Sequence, residues 1–486
     1  MSAAPRPILS LNKRDDADLI EEPLVMLDRF EVLIPCRRFQ VTYKVAEKGG
    51  VSVTSEFLLR LLYAVERMEE NAIAEFFGFD SREMAFVMNE MIARDYVVHS
   101  DGQVWLTQTG RRLFTGAYGT PHIVSVDKRT DSFGFDLLSL CPQEPDRLDK
   151  FALTLPALPV VDAERAASAT REVRQAFQQH FTEFDLLRRA GSSRQQYLYS
   201  VDNVSAEQKF LATVPVCVIA QGGRSTNVQV DLSEWRNGHE LEDRESVVAA
   251  VAGVMEGIKQ APNAQDGWAY SQLLELAPEF LQEFTRRDGL AVDRYHKSAV
   301  ARVGELRADR PTVPLVGSLF TPPNAERLLS AIKYAVKRLD ALGEQEGHEA
   351  SKEAVTWPDQ LYWLAPAGHW GNTRALPKTL EAIRQAVRRE STEPGKALRT
   401  IGVRRQRERT TRRRLMDEAF SEIRFIDERA MQSSNLELLC IPGLVAAVLV
   451  HAPIKSTYGF PVPLGLISFD TAVVARTHEY FLNLYR

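Results

Sequence analysis

Residues 71–106 read NAIAEFFGFDSREMAFVMNEMIARDYVVHSDGQVWL, and this stretch decides how the first part of the chain folds. Counting from Met84, apolar residues recur at i, i+3, i+4, i+7 and i+8, ending at Ile92. This spacing predicts a helix over residues 81–94 that buries one face. Asp80 is expected to cap it, with Glu83 completing a capping box. The triplet at 100–102, Ser-Asp-Gly, predicts a tight turn between two short strands.

Further helices are predicted on both sides of this stretch. An earlier helix is indicated by apolar residues at helical spacing, namely Phe57, Leu58, Leu61, Leu62 and Val65. Residues 71–77 form a short second helix that Gly78 is suited to end. After the hairpin, Thr107 is expected to cap a last helix that runs to Phe114.

Three helices, a two-stranded wing and the ending Leu-Thr-x-x-Gly-Arg resemble the winged helix-turn-helix domains of bacterial regulators. The resemblance implies that the third helix enters the DNA major groove, with Arg82 and Arg94 as its nucleic-acid contacts. The same helical stretch also carries acidic residues, Glu83, Glu90 and Asp95. Its face is therefore close to neutral, and protein docking or scaffolding stays open beside DNA reading.

The composition bounds the class of protein. A chain of 486 residues with 44% hydrophobic and 26% charged residues is expected to form two to four globular domains. The four cysteines include no C-x-x-C pair, which indicates buried thiols in a reducing compartment. No secretory segment and no membrane-spanning run is visible, so we expect a cytoplasmic protein without a membrane partner. The net charge of -5 restricts nucleic-acid contact to a local patch.

Predicted strands and helices alternate through the chain, which indicates a mixed α/β or α+β fold. Two strands, at 30–36 and 39–45, are predicted to lead into the winged helix. The expected domains are an N-terminal extension at 1–28, a winged-helix domain with preceding strands at 29–120, a middle α/β domain at 121–310 and a C-terminal α/β domain at 311–486.

A run of arginines is the main candidate for nucleic-acid binding. Its members are Arg404, Arg405, Arg407, Arg409, Arg412, Arg413 and Arg414. Guanidinium forks match phosphate geometry, and such binding weakens steeply with salt. The alternative is a solvated helix or loop whose charges are paired with nearby acidic residues, Glu408, Asp417 and Glu418.

The strands and final helix of residues 436–486 loosely resemble the phospholipase-D-like nuclease fold, which in bacteria is sometimes joined to winged helices. That family uses His-x-Lys followed by Asp five positions after the Lys, which supplies a nucleophile, a phosphate-binding cation and an orienting acid. Here His451 is followed at the Lys position by Pro453, and Tyr458 occupies the Asp position. The resemblance therefore implies a degenerate site.

The favoured hypothesis is a non-catalytic winged-helix protein that binds DNA or the protein subunits of a DNA-acting complex, such as one of bacterial antiviral defence. One alternative is a phosphodiesterase or nuclease with a divergent site around His451, Lys455 and Asp470. Another is a scaffold that binds protein alone. No His, Cys and carboxylate residues have zinc spacing, so neither a metal site nor a cofactor is expected.

Overall fold

A computed structural model describes residues 24–48, 52–114, 121, 124–160, 170–188, 196–221, 228–235, 241–302, 304–346, 357–388, 398–405, 410–427, 433–455 and 457–485. The chain has a mixed α+β fold, as the sequence predicts. Within these ranges, no helix combines the length and the apolar character needed to cross a bilayer.

Residues 52–114 form a compact group of helices around a small sheet, here called the helical unit. Its elements are α1 (Val53–Val65), β2 (Arg67–Glu69), α2 (Glu70–Phe77), α3 (Ser81–Ala93), β3 (Val97–Ser100), β4 (Gln103–Leu106) and α4 (Gln108–Arg112). The predicted capping box is present, because Asp80 Oδ1 accepts from the backbone N–H of Glu83 and Glu83 Oε2 accepts from that of Asp80. The helices and the turn predicted here are confirmed, except that α4 ends at Arg112, short of the predicted Phe114. Strand β4 pairs with both β2 and β3.

The buried stripes of the helical unit differ slightly from the predicted ones. On α3 the buried residues are Met84, Val87, Met88 and Met91, whereas Ile92 is 45% exposed. On α1 they are Ser55, Leu58, Leu59 and Leu62. Phe57 and Val65 were predicted to be buried and are about half exposed. The buried face of α1 is centred nearer Leu59 than the apolar pattern suggested. Phe57 and Val65 therefore lie on the outward side of the helix.

A second sheet has the order β5-β1-β6-β7, with antiparallel neighbours throughout. Its strands are β1 (Leu24–Lys48), β5 (Val124–Asp136), β6 (Gln196–Gln221) and β7 (Val228–Asp231). The two strands predicted at 30–36 and 39–45 are one continuous strand, which pairs with β5 and β6 and not with the sheet of the helical unit. A register shift between Arg37 and Phe39 explains the break in the sequence pattern, because a bulge changes the alternation without ending the strand. Residues 24–28, predicted to lie in an N-terminal extension, begin this strand.

Helices lie between β5 and β6 in the sequence and after β7. They are α5 (Thr170–Gln179), α6 (Phe181–Arg188), α7 (Glu245–Ile258), α8 (Ala264–Leu276), α9 (Pro278–Leu281) and α10 (Val292–Ala301). A short hairpin, β8 (Thr285–Arg286) and β9 (Gly289–Leu290), precedes α10. The helix predicted from 163 to 190 is interrupted at His180, and its ends lie outside the described residues. Helices α5 and α6 pack on β1 and β5 through a phenylalanine-rich core.

The largest sheet has seven strands in the order β10-β16-β15-β14-β11-β12-β13. These are β10 (Thr312–Val316), β11 (Gln360–Leu364), β12 (Arg399–Arg405), β13 (Glu422–Ile426), β14 (Leu436–Ile441), β15 (Val445–Ala452) and β16 (Val462–Ser468). The helices in this part are α11 (Pro322–Glu346), α12 (Ala375–Val387), α13 (Thr410–Ala419) and α14 (Thr471–Leu484). Only β14 and β16 run against the other strands, so β10, β15, β11, β12 and β13 all end at one edge, here called the carboxyl edge.

Both faces of the large sheet are buried. One face packs with α11, α12 and α13, and the other packs with α8, α14 and the inner residues of β1 and β6. Ligands of open α/β sheets bind at the edge where parallel strands end. The carboxyl edge is therefore the place where this fold would position chemical groups.

Candidate functional site

The face of α3 that points away from the helical unit is largely apolar. Its exposed residues at helical spacing are Arg82, Ala85, Phe86, Asn89 and Ile92. Phe86 is 69% exposed, although a phenylalanine side chain is favoured in a core or an interface. Arg82 is the charged member of this face. Arg94, the second predicted nucleic-acid contact, lies 3.7 Å from Glu90, so part of its charge is offset locally.

The helical unit as a whole is acidic. Residues 52–114 hold ten Asp and Glu residues against six Arg residues and no Lys, which gives a formal charge of -4 with histidine neutral. DNA carries a dense negative charge, and proteins bind it by placing Lys and Arg against the phosphates. The charge of the unit is therefore of the same sign as that of DNA, and its exposed apolar face carries few groups that could contact phosphates.

The arginine run is divided between two elements. Arg404 and Arg405 end β12, whereas Arg413 and Arg414 are exposed on α13. Arg404 is 3% exposed and lies 4.5 Å over the ring of Phe425, and its Nε and Nη1 have no hydrogen-bond partner among the described residues.

The remaining members of the run offer fewer free charges than the sequence suggested. Arg405 donates to the carbonyl oxygen of Ser433, and Arg413 Nε lies 3.5 Å from Asp417. Arg407, Arg409 and the side chain of Arg412 lie outside the described residues. The run is not one helix or loop, because its first two members belong to β12, an interior strand of the large sheet.

His451 is at the end of β15 on the carboxyl edge and is 6% exposed. Its Nε2 lies 2.6 Å from Oε2 of Glu437 on β14. The other carboxylate oxygen of Glu437 accepts hydrogen bonds from the indole N–H groups of Trp363 at 2.9 Å and Trp370 at 2.8 Å. The imidazole is thus held in a buried, hydrogen-bonded network, as expected for a structural histidine.

The three residues of the enzyme alternative are not brought together. Lys455 follows β15 and is exposed. Asp470 lies beyond the far end of β16, where its carboxylate caps α14 by accepting from the backbone N–H groups of Ala472 and Val473. His451 pairs with Pro463 near the start of the same strand, so Asp470 is on the order of 20 Å away along it.

A second histidine–carboxylate pair on this edge was not recognised in the sequence. His369, in the loop after β11, places Nε2 2.6 Å from Oδ2 of Asp28 on β1. Burial alone would raise the pKa of Asp28, but the hydrogen bonds and charges of His369, Ser318 and His451 hold that pKa below its ordinary value. Asp28 is therefore a carboxylate that is stabilised in its charged form within the protein.

Strand β1 covers this part of the edge. The backbone N–H of Ser318 donates to the carbonyl of Leu27 at 2.9 Å, and that of Glu31 donates to Asn372 at 2.6 Å. A Cβ on Gly317, which has φ +92°, would lie 2.5 Å from a β1 carbonyl. Arg374 Nε donates to Glu31 at 2.8 Å. The acid and base groups are therefore packed beneath a strand, and none of these contacts pairs a hydroxyl nucleophile with an imidazole base.

The sequence carried one signal for these buried groups. Glu437 lies within the apolar run LELLCI, and Asp28 follows the apolar residues Val25, Met26 and Leu27. A charged residue inside a strand-length apolar run indicates a buried polar partner, because such residues are rarely buried alone. The partner's identity was beyond the sequence, since His369 is 341 positions from Asp28.

Comparisons of the chain with models of known protein families, with curated proteins and with solved structures found no match. Its role is therefore inferred from the contacts, charges and burial of its own residues.

Proposed function

We propose that this chain is a non-catalytic winged-helix protein that docks onto a protein subunit of a DNA-acting complex through the outward face of α3. The winged-helix assignment is supported by the element order α1-β2-α2-α3-β3-β4, in which β4 pairs with the strands on either side. The resemblances found in the sequence favour an assembly that acts on DNA, such as one of bacterial antiviral defence.

The exposed apolar face of α3 in an acidic unit carries the proposal. Phe86 and Ile92 present apolar surface where a DNA reader would present basic groups. Aromatic residues are enriched among the anchors of protein interfaces. The charge of -4 on residues 52–114 favours a partner surface in which an apolar pocket is surrounded by Lys and Arg.

The contacts at the carboxyl edge support the proposal that the protein is non-catalytic. Both histidines there are engaged by carboxylates, and the lysine and aspartate of the enzyme alternative lie elsewhere. We expect purified protein to leave single- and double-stranded DNA and RNA intact, with or without divalent metal. Cleavage by the parent that disappears in His451→Ala would overturn this part and favour the phosphodiesterase alternative.

The docking surface is tested by site-specific photo-crosslinking. A crosslinker at position 86 is compared with one at Tyr199, an aromatic residue of β6 that is 67% exposed. A protein crosslinked from position 86 alone is then purified and titrated against the parent chain, Phe86→Asp and Tyr199→Asp. We expect Phe86→Asp to weaken binding at least tenfold, about 1.4 kcal/mol or more, and Tyr199→Asp to leave it unchanged.

DNA binding is measured in parallel by fluorescence anisotropy over a range of salt concentrations. We expect no affinity for duplex DNA that depends on α3. Salt-sensitive duplex binding that is lost in Arg82→Ala but retained in Phe86→Ala would replace the protein-docking proposal with direct DNA reading.

A further inference from the structure

Four side chains of metal-binding type converge at the border between two cores of the molecule. Cys141 follows the turn after β5, His180 lies between α5 and α6, Glu183 is in the first turn of α6, and Asp243 is in the short 3-10 helix Leu241–Arg244 before α7. Cys141, His180 and Asp243 are each separated by 39 positions or more, so no zinc spacing was visible in the chain. The fold alone brings them together.

His180 lies at the centre of this group and is close to each of the other three residues. Cys141 Sγ lies 3.7 Å from Nε2 of His180 and 3.2 Å from the backbone carbonyl oxygen of Asp243. His180 Nδ1 lies 2.9 Å from Oε1 of Glu183. One ligand-type atom each of His180, Glu183 and Asp243 lies within 4.8 Å of the other two, so the Asp243 carboxylate lies near the imidazole. Cys141 is not in that group of three, and it joins the site through its contact with His180.

Tetrahedral zinc bound at about 2.3 Å to sulfur and about 2.0 Å to nitrogen separates those two atoms by about 3.6 Å. The separation between Cys141 and His180 is close to this value. A proton on Nδ1 would be donated to Glu183, and the Nε2 lone pair would then be free to bind a metal. A carboxylate in this position is the usual second partner of a zinc-bound histidine.

We propose that Cys141 Sγ, His180 Nε2 and the Asp243 carboxylate bind Zn²⁺, with Glu183 orienting the imidazole and water completing the coordination. A thiolate with an imidazole selects zinc over magnesium or calcium, which prefer oxygen ligands. Binding releases the thiol proton of Cys141 to solvent, because the thiolate is the ligand. The proposal is independent of the docking role of α3.

The burial of the site is consistent with a structural metal. Cys141 is 2% exposed and the His180 side chain is 12% exposed, whereas Asp243 is exposed and leaves an entry path. The neighbouring charge is balanced, since Arg244 Nη1 lies 3.4 Å from Asp136 and Nη2 donates to the carbonyl oxygen of Pro142. Zinc here would join α5 and α6, which cover the phenylalanine-rich core, to the segment that leads into α7.

The test uses the full chain, freed of metal with a chelator and titrated with Zn²⁺ by calorimetry, with bound metal measured after gel filtration. We expect a single zinc per chain and a rise in melting temperature, because a ligand of the native state stabilises it. Replacement of zinc by Co²⁺ should give the absorption of a thiolate-bound, tetrahedral cobalt ion.

The variants test whether Cys141 is a zinc ligand or only a buried thiol. Cys141→Ser and His180→Gln should abolish the zinc-dependent rise in melting temperature, and Glu183→Gln should weaken affinity by about 10–100-fold. Cys217→Ser is the matched control, because Cys217 is also buried beside a carboxylate, at 3.5 Å from Glu234. It should bind zinc as the parent does.

Circular dichroism checks that each variant is folded, and the cobalt thiolate band reads the ligand directly. The proposal is overturned if the parent binds no zinc, or if Cys141→Ser and Cys217→Ser bind it equally.

Discussion

The helical unit and the carboxyl edge of the large sheet distribute their side chains in opposite ways. The helical unit exposes apolar groups on α3, whereas the edge buries carboxylates and imidazoles beneath β1. Covering exposed apolar surface with a partner is favourable because it removes that surface from water. Buried charged groups are stabilised by the hydrogen bonds and opposite charges around them inside the protein. The difference is consistent with the proposal that the helical unit contacts a partner, and it assigns the buried groups of the edge to contacts within the protein.

Removal of Glu437 should have the largest effect on stability. Glu437→Ala leaves two indole N–H groups and the His451 imidazole without their acceptor inside the core. We expect a loss of about 3–5 kcal/mol in the free energy of unfolding, measured by urea denaturation. Glu437→Gln keeps one acceptor oxygen and should lose less. Equal stability of Glu437→Ala and the parent would show that this hydrogen-bond network does not stabilise the fold.

Two adjacent residues of α3 differ in burial, so they test the core and the surface of the helix separately. Val87 is 5% exposed and Phe86 is 69% exposed. Val87→Asp buries an unpaired charge and should cost about 3 kcal/mol, whereas Phe86→Asp should change stability by less than about 0.5 kcal/mol. Chemical denaturation of both variants checks this. Similar losses in the two would mean that the outward face of α3 is not exposed as described.

His296, in α10, is a useful contrast with His451, because it is buried and its Nε2 has no hydrogen-bond partner among the described residues. Its burial lowers the pKa to about 4, with the charges of Asp293 and Lys297 as smaller influences. The lowered pKa means that stability is complete above about pH 6.5 and is lost as pH falls towards 4. This loss should reach about 3 kcal/mol and should disappear in His296→Gln. The free energy of unfolding is measured at several pH values between 4 and 7. The same dependence on pH in both proteins would contradict the prediction.

The last three arginines of the run should have only a small effect on stability. Replacing Arg412, Arg413 and Arg414 with Ala should change the free energy of unfolding by less than about 1 kcal/mol, because surface ion pairs contribute little. If nucleic acid binds the chain, these residues should contribute more than α3, and their loss should lower the salt slope by roughly one unit per phosphate contact. Affinity and slope equal to those of the parent would exclude the run from that interface.

Local patterns predicted the helical unit well, because its caps, turn and apolar stripes lie within about sixty residues. The same reasoning divided β1 into two strands and grouped them with that unit, since strand partners depend on residues far along the chain. It also assigned the arginine run to the surface, although the position of β12 inside the sheet buries Arg404. The pairs at Asp28 and Glu437 required the fold, because periodicity identifies a buried face but not the partner across it.

The position of β1 has a consequence for synthesis of the protein. Translation proceeds at about 5–20 residues per second, so β1 waits roughly 10–35 s until β6, its longest pairing partner, has been made. The local contacts of the helical unit, by contrast, are complete soon after residue 114. During this wait the long strand exposes unpaired backbone groups and apolar side chains, including Phe30, Val32 and Ile34, which favour aggregation. We therefore expect the nascent chain to depend on chaperones more than the finished protein does.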